Sequence, residues 1–234
     1  MKNKVEISAF WTGAILALLG IFLAAFFGMW FYNSTELKRL AVEESNLQKE
    51  ISEWEKYRKW TLDYAQIYLA LDIISKKQLS ERQKAKLSSE IWAISRNYGF
   101  DPLLIPSIVF QESRGNPYAK GRFRSGAESG AYGLMQLKVP TAQAIGKRFG
   151  LRVERAEDLM RPEVSIVVGS AYLMRLVGRY GDLKKAIVAY NMGQGSVDAK
   201  IRDRSPIPSF YYEEVLAKYR KLRQLVGERM GDAE

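Results

Sequence analysis

The sequence predicts a mainly helical, all-α protein made of an apolar N-terminal helix, a long helical stalk and a compact helical domain. Three observations support this prediction. No charged residue occurs between Ile7 and Tyr32, and apolar residues then recur at helical spacing without a Gly or Pro until Gly99. Beyond Gly99, helix-start signals alternate with glycine-rich turns, and almost no alternating strand pattern is found.

The N-terminal apolar run is long enough to cross a membrane. From Ile7 to Tyr32 a helix reaches about 39 Å, against about 30 Å for a hydrocarbon core. Trp11 and Trp30 lie near its two ends, where interfacial aromatics are common. The alternative is a cleaved signal peptide, but the run is longer than a signal core and no small-residue cleavage site follows it. We therefore expect residues 1–34 to form an uncleaved transmembrane anchor.

The charges that flank this run favour one orientation. Lys2 and Lys4, with the terminal amine, favour an N-terminus inside the cell, and Lys38 and Arg39 on the far side weaken that preference. We expect a single-pass inner membrane protein whose following domain lies in the periplasm.

Residues 35–97 predict a helical stalk with an apolar seam. The seam shifts register around residues 57–60 and then resumes, and a second helix is expected over 81–98. Its members follow spacings of three and four: Leu37, Leu40, Glu44, Leu47, Ile51, Trp54, and then Tyr64, Ile67, Leu71, Ile74. Two interpretations stay open, a self-associating coiled coil and an amphipathic helix that packs on its own domain.

Composition excludes several classes of chemistry. The chain has neither His nor Cys, which removes Ser-His-Asp and Cys-His machinery and every His- or Cys-based zinc site. We expect no metal and no cofactor, so any reaction must use carboxylates, hydroxyls, amides or lysines. The formal net charge of +10 suits an anionic partner. No nucleic-acid-binding motif accompanies that charge, and nucleic acid is not an expected partner.

The segment after Gly99 carries the strongest candidate for catalysis. Asp101-Pro102 is a helix-start signal, and the apolar residues that follow repeat with helical spacing. This pattern places Glu112 in the last turn of the helix. A Glu at a helix end is usually a solvated side chain, so the surrounding motifs decide its interpretation.

Three motifs occur in order along the chain: Val109-Phe110-Gln111-Glu112-Ser113-Arg114-Gly115-Asn116-Pro117, Gly130-Ala131-Tyr132-Gly133-Leu134-Met135-Gln136-Leu137, and Ala189-Tyr190-Asn191-Met192-Gly193. Together they resemble the signatures of family 1 lytic transglycosylases, the soluble lytic transglycosylase (SLT) family. The resemblance covers about residues 98–219. It implies a lysozyme-like domain, which we place at 98–222 and which leaves 223–234 as a C-terminal tail.

The resemblance also implies a mechanism with a single carboxyl group. Glu112 would protonate the glycosidic oxygen of a MurNAc-GlcNAc β-1,4 bond in peptidoglycan and then take the proton of the sugar's own 6-hydroxyl, which yields a 1,6-anhydro end. Burial beside Met135 and Tyr190 is expected to raise the carboxyl pKa, and Tyr190 is expected to hold the carboxyl by a hydrogen bond. The expected substrate-binding residues are Ser113, Met135, Gln136, Tyr190 and Asn191.

Two further segments depart from the family pattern. Tyr211, Val215 and Tyr219 fall where the family often has a tyrosine-led closing helix, but Pro208-Ser209 stands in place of the usual Glu-Thr. The loop over 118–132 is rich in charge, with Lys120, Arg122, Arg124 and Glu128. It is expected to be a lid, a substrate contact or simply solvated charge.

Other functions remain open from the sequence. A hydrolase of goose-lysozyme type would use the same acid and deliver water. A structural protein could instead bind the cell wall and join a secretion, pilus or phage-entry machine through the stalk, as a homo-oligomer or with other partners. The intact motifs favour an enzyme that cuts peptidoglycan strands, either alone or for such a machine.

Overall fold

The computed structural model describes residues 2–123 and 125–231, with side chains from residue 11 onward. Helices dominate this part of the chain, which confirms the predicted mainly helical fold. The chain divides into two compact units, residues 1–58 and residues 59–234. The predicted domain limits at 34/35, 97/98 and 222/223 stay predictions.

The first unit consists of the N-terminal part of one long helix, α1 (Lys2–Ser75). Its apolar side chains over the predicted anchor are exposed, for example Leu16, Phe22 and Phe27 at 60–67%. Among the described residues, α1 is the one helix long and apolar enough to cross a membrane. Lys2 and Lys4, on which the predicted orientation rests, have side chains outside the described part of the structure.

The two halves of the predicted stalk seam have different environments. Leu40 and Ile51 are about half exposed, whereas Ile67 and Leu71 are completely buried in the core of the second unit. The last turns of α1 thus pack on the following domain, as one of the two sequence interpretations requires. No residue that the structure describes in the first unit covers the first half of the seam.

Helix α2 (Glu81–Tyr98) has the limits expected from the sequence. The hydroxyl of Ser80 accepts a hydrogen bond from the backbone N–H of Gln83, and the Gln83 side chain accepts one from the Ser80 N–H, which closes a capping box. Gly99 ends the helix in the left-handed conformation with φ 70°. The side chain of Leu87 then joins the core.

The described part of the second unit has a short 3-10 helix (Lys147–Phe149) and seven further α-helices: α3 (Leu104–Ser113), α4 (Val139–Gly146), α5 (Ala156–Leu159), α6 (Pro162–Tyr180), α7 (Leu183–Met192), α8 (Gln194–Arg202) and α9 (Phe210–Gly231). Their starts follow local signals, because Pro162 opens α6 and the Asp182 carboxylate caps α7 by accepting from the Lys185 N–H at 2.8 Å. Residues 223–231 of the predicted tail continue α9, where Val226 is buried. Residues 232–234 lie outside the described part.

A small antiparallel sheet was not expected from the sequence. Its strands are β1 (Lys120–Arg122), β2 (Glu128–Tyr132) and β3 (Leu137–Lys138), in the order β1-β2-β3. The register pairs Lys120 with Tyr132 and Ala131 with Lys138. Strands of two to five residues are too short to produce a visible alternation of apolar and polar side chains.

Candidate active site

Helix α3 delivers Glu112 to the site. The Asp101 carboxylate accepts a hydrogen bond from the Leu103 N–H at 2.8 Å and so fixes the turn before the helix. Ile105 and Val109 anchor the helix, because both are completely buried. Glu112 then lies in the last turn, as predicted from the sequence.

The carboxyl group of Glu112 is held mostly out of water. Burial is the largest influence on it and raises its pKa from 4.5 to about 7, because desolvation disfavours the charged form. The hydroxyl of Tyr211 donates a hydrogen bond to Oε1 of Glu112, which acts in the opposite direction. The negative charge of Glu214 raises the pKa further. A carboxyl group with a pKa near neutrality can both give and take a proton.

Helix α9 supplies the two groups that act on Glu112 most directly. The Gln111 side-chain amide donates to Glu214 Oε2 at 3.0 Å, and the ammonium group of Lys218 lies 5.3 Å from the ring centroid of Phe110. Together with the bond from Tyr211 to Glu112, these contacts join α9 to α3 through three consecutive residues of the first motif. The site is therefore built by two helices that are far apart in sequence.

Tyr190 lies close enough to Glu112 to feel its charge, but its hydroxyl does not form the expected hydrogen bond with Glu112. It donates to the backbone oxygen of Met135 at 2.8 Å, and the hydrogen bond predicted from Tyr190 to Glu112 is made by Tyr211 instead. Burial raises the pKa of Tyr190 well above its usual range, and the charge of Glu112 adds to the rise. Met135 is completely buried, and its side chain packs against Gly169 and Ser170 of α6.

The side chains of Ser113 and Gln136 form hydrogen bonds with nearby backbone groups. The Ser113 hydroxyl donates to the Val109 carbonyl at 3.1 Å and accepts from the Gly115 N–H at 3.2 Å. The Gln136 amide donates to the carbonyls of Ala119 and Gly133 at 3.0 and 2.8 Å. The side-chain oxygen of Gln136 keeps the capacity to accept a hydrogen bond.

Asn191 and the charged loop occupy exposed positions. Asn191 is exposed near the end of α7, so its side chain can meet a ligand from solvent. In the loop, Lys120 and Glu128 form an ion pair at 3.6 Å across the hairpin of β1 and β2. Arg124 lies outside the described residues. The proposed role of the 118–132 loop stays a prediction.

Two residues of this site were not identified as site residues from the sequence. From the sequence, Tyr211 was expected only in the tyrosine-led closing helix of the family pattern. Glu214 was not predicted as a site residue. Tyr211 and Glu112 are 99 residues apart in the chain, and no local pattern reports that approach. One signal was present, since Tyr211 and Glu214 are three residues apart and therefore share a helix face.

The described residues contain no group of three or more potential metal-binding side chains. What the site offers is a carboxyl group that titrates near neutrality, a tyrosine hydroxyl bonded to it and a second carboxylate nearby. This combination is suited to general acid and base chemistry.

Comparison with known proteins supports the resemblance inferred from the motifs. Residues 90–207 match the family model described as "Transglycosylase SLT domain". A transglycosylase of Enterobacteria phage PRD1 is 37% identical over 115 residues, which are 49% of this chain and 38% of the phage protein. A membrane-bound lytic murein transglycosylase E of Buchnera aphidicola is 34% identical over 130 residues, 51% of this chain and 56% of that protein.

Among solved structures, the 70 kDa soluble lytic transglycosylase of Escherichia coli matches with a TM-score of 0.46 and 24% identity, over 62% of this chain and 28% of that one. The chain spans less than two thirds of the length of each of these three proteins.

Proposed function

Because the chain belongs to the transglycosylase SLT domain family, we propose that it is a lytic transglycosylase that cuts the glycan strands of peptidoglycan with Glu112 as its acid and base. The observation that carries this proposal is the largely buried carboxyl group of Glu112, at the position of the first family motif, which accepts a hydrogen bond from the Tyr211 hydroxyl and whose pKa burial raises to about 7. A carboxyl group with its usual pKa would be ionised at neutral pH and would have no proton to donate.

The proposed reaction uses one carboxyl group twice, first as an acid and then as a base. Protonated Glu112 gives its proton to the oxygen that links two amino sugars, and that bond breaks. The substrate's 2-acetamido group supports the electron-poor carbon. Glu112, now ionised and stabilised by the hydroxyl of Tyr211, takes the proton of the 6-hydroxyl while that oxygen closes the 1,6-anhydro ring. Water is not consumed, and Glu112 ends the cycle protonated.

Supporting groups surround this carboxyl. The ring of Tyr190, whose hydroxyl is bonded to the Met135 carbonyl, is proposed to keep water away from it. Glu214 contributes negative charge that favours the protonated starting state of Glu112 and can stabilise a cationic sugar carbon. Gln136 and Asn191 are proposed to contact the substrate through their amides. Ser113 is proposed to act through the backbone turn that follows Glu112.

The direct test is Glu112→Gln, which keeps the shape of the side chain and removes its proton chemistry. We expect at least about a thousandfold loss in release of anhydromuropeptides from purified sacculi, measured by mass spectrometry, because both proton transfers are lost. Glu213→Gln, on the exposed side of α9, is the matched control and should retain wild-type activity.

The products distinguish the alternatives. Anhydro ends are lighter by one water than the reducing ends that a goose-type lysozyme would release. Reducing ends from the wild-type protein would show that it is a hydrolase, contrary to the proposal. Binding to sacculi without any release would support a structural wall-binding protein instead.

We also infer that residues 1–34 anchor the protein in the inner membrane with the SLT domain in the periplasm, where peptidoglycan lies. The exposed apolar surface of α1 over this range supports the anchor. A local opening of the wall for an envelope-spanning assembly is a proposed use of this arrangement.

A further inference from the structure

The part of α1 that follows the proposed anchor carries an exposed apolar stripe. The five apolar seam residues over 37–54 all expose about half or more of their surface: Leu37 67%, Leu40 49%, Leu47 53%, Ile51 58% and Trp54 70%. They follow spacings of three and four and therefore lie along one side of the helix. An exposed apolar stripe of this length, interrupted only at Glu44, is typical of a surface that another helix covers.

The charged residues of this segment are segregated around the stripe. In a heptad register with Leu37 at position a and Leu40 at position d, the acidic residues in or beside the seam are Glu36, Glu43 and Glu50 at g, Glu44 at a and Glu55 at e. The four basic residues within residues 36–56 all lie at b, c or f, on the opposite side: Lys38, Arg39, Lys49 and Lys56. The apolar stripe thus has an acidic border.

Most carboxylates of this acidic border have no ion-pair partner among the side chains that the structure describes. Arg39 pairs with Glu36, and Lys56 pairs with Glu53, which lies away from the seam. Among the described side chains, no cation forms an ion pair with Glu43, Glu50 or Glu55. These three carboxylates therefore remain available to a partner.

A second copy of the chain fits this surface poorly. In a parallel pair of identical helices, position g of one faces the following e of the other, which brings Glu50 against Glu55, and Glu44 meets its own copy at position a. An antiparallel pair places g beside g and e beside e, which again opposes carboxylates. Like charges at these positions disfavour association.

We propose that the seam over 37–54 is the docking surface for a helix of another protein, with an apolar stripe bordered by Lys or Arg. Such a helix would bury the leucines and Trp54 and would place cations opposite Glu43, Glu50 and Glu55. Large aromatic side chains such as Trp54 commonly anchor interfaces of this kind. The inference concerns a surface outside the catalytic domain and does not depend on the proposed enzymatic activity.

Two synthetic peptides test the proposal on the full-length chain in detergent. Both have Leu at a and d, one has Lys at e and g, and the other has Glu there. We expect the basic peptide to bind at least tenfold more tightly at low salt, by fluorescence anisotropy, with the difference shrinking as salt screens the charges. Equal binding of both peptides, or binding of neither, would overturn the proposal.

Charge-reversed variants locate the surface. The triple variant E43K/E50K/E55K should reverse the peptide preference, and the matched control Glu53→Lys, away from the seam, should leave it unchanged. Circular dichroism confirms that each variant keeps its helix. Sedimentation of the wild-type chain at pH 7 should show no dimer that depends on Leu47. A dimer abolished by Leu47→Asp would mean that a second copy occupies the seam, contrary to the proposal.

Discussion

The carboxyl group of Glu112 is subject to opposing influences on its charge. Burial, and the charge of Glu214, favour the protonated form, whereas the hydrogen bond from Tyr211 favours the ionised form. The proposed reaction needs both forms in turn, and a pKa near 7 keeps the difference in free energy between them small. The residues around Glu112 therefore set the working pH as much as Glu112 itself does.

Two variants should move the pH dependence in opposite directions. Protonated Glu112 starts the reaction, so activity should fall as pH rises through about 7. Tyr211→Phe removes the bond that stabilises the ionised carboxylate and should shift this fall to higher pH. Glu214→Gln removes a like charge and should shift it to lower pH. Release rates measured from pH 5 to 9 check both shifts. Identical profiles for the three proteins would contradict this account of the site.

The same pKa predicts a pH-dependent effect on stability. A folded-state pKa above the unfolded value means that the folded protein holds this proton more tightly, so Glu112 makes the protein less stable as pH rises from about 4.5 to about 7. Glu112→Gln removes that penalty and should stabilise the fold above pH 7, by on the order of 3 kcal/mol at most. The gain should vanish near pH 4.

Thermal unfolding of both proteins, followed by circular dichroism in detergent, measures this difference. Glu213→Gln provides the comparison, because its side chain is exposed on α9. A gain from Glu112→Gln that stays constant between pH 4 and pH 8 would show that the carboxyl group is not desolvated in the folded protein.

The second motif forms a turn whose backbone lies very close to the backbone of α5. Gly133 adopts φ +79°, and a Cβ built on it would lie 1.9 Å from the carbonyl oxygen of Leu159. The turn can therefore sit against α5 only if no side chain is present. Met135, two residues later, is placed by this turn, and its N–H donates to the Ser165 hydroxyl at 3.1 Å.

A pair of glycine substitutions separates backbone strain from this clash. Gly130 has a similar φ of +76° but nothing within 4 Å of its ideal Cβ position. Gly130→Ala should destabilise the protein by about 1–2 kcal/mol, the cost of the left-handed conformation. Gly133→Ala adds a collision with backbone and should cost about 3 kcal/mol or more. Equal losses of free energy of unfolding in urea would show that Leu159 moves away easily.

Helix α1 contains two segments with different roles. Its last turns belong to the hydrophobic core, since Ile74 is buried. They also lie close to Gly115, three residues after Glu112, because a Cβ built on Gly115 would lie 2.8 Å from the Ile74 backbone. The end of α1 thus supports the turn that follows Glu112. Lys84 of α2 adds a buried contact, with its ammonium 2.6 Å from the Asp72 carboxylate of α1.

In the chain as a whole, an apolar helix near the N-terminus precedes the SLT domain. The formal net charge of +10 suits an anionic polymer such as the cell wall. If residues 1–34 anchor the protein, enzyme and substrate are confined to the same layer of the cell envelope. The reach of the domain would then be limited by the residues between anchor and site.

Fractionation tests this arrangement. The full-length chain, expressed in a Gram-negative bacterium, should stay with the membranes through an alkaline carbonate wash, and protease added to spheroplasts should digest the SLT domain. Deletion of residues 2–34 provides the control and should yield a soluble protein. A full-length chain recovered free of membranes, or protected from the protease, would contradict the proposed topology.

The sequence alone determined what depends on neighbouring residues. The limits of α2, the Asp182 cap of α7, the position of Glu112 at the end of α3 and the family itself follow from local signals or short motifs. These signals act over a few residues along the backbone, so a single sequence contains them completely.

Only the tertiary structure decided which surfaces meet. It places Tyr211 on a carboxyl group 99 residues away, buries one half of the α1 seam while leaving the other exposed, and closes a sheet from strands too short to recognise. The pKa of Glu112 belongs to this group of properties, because desolvation depends on everything that packs around the carboxyl and on no short stretch of chain.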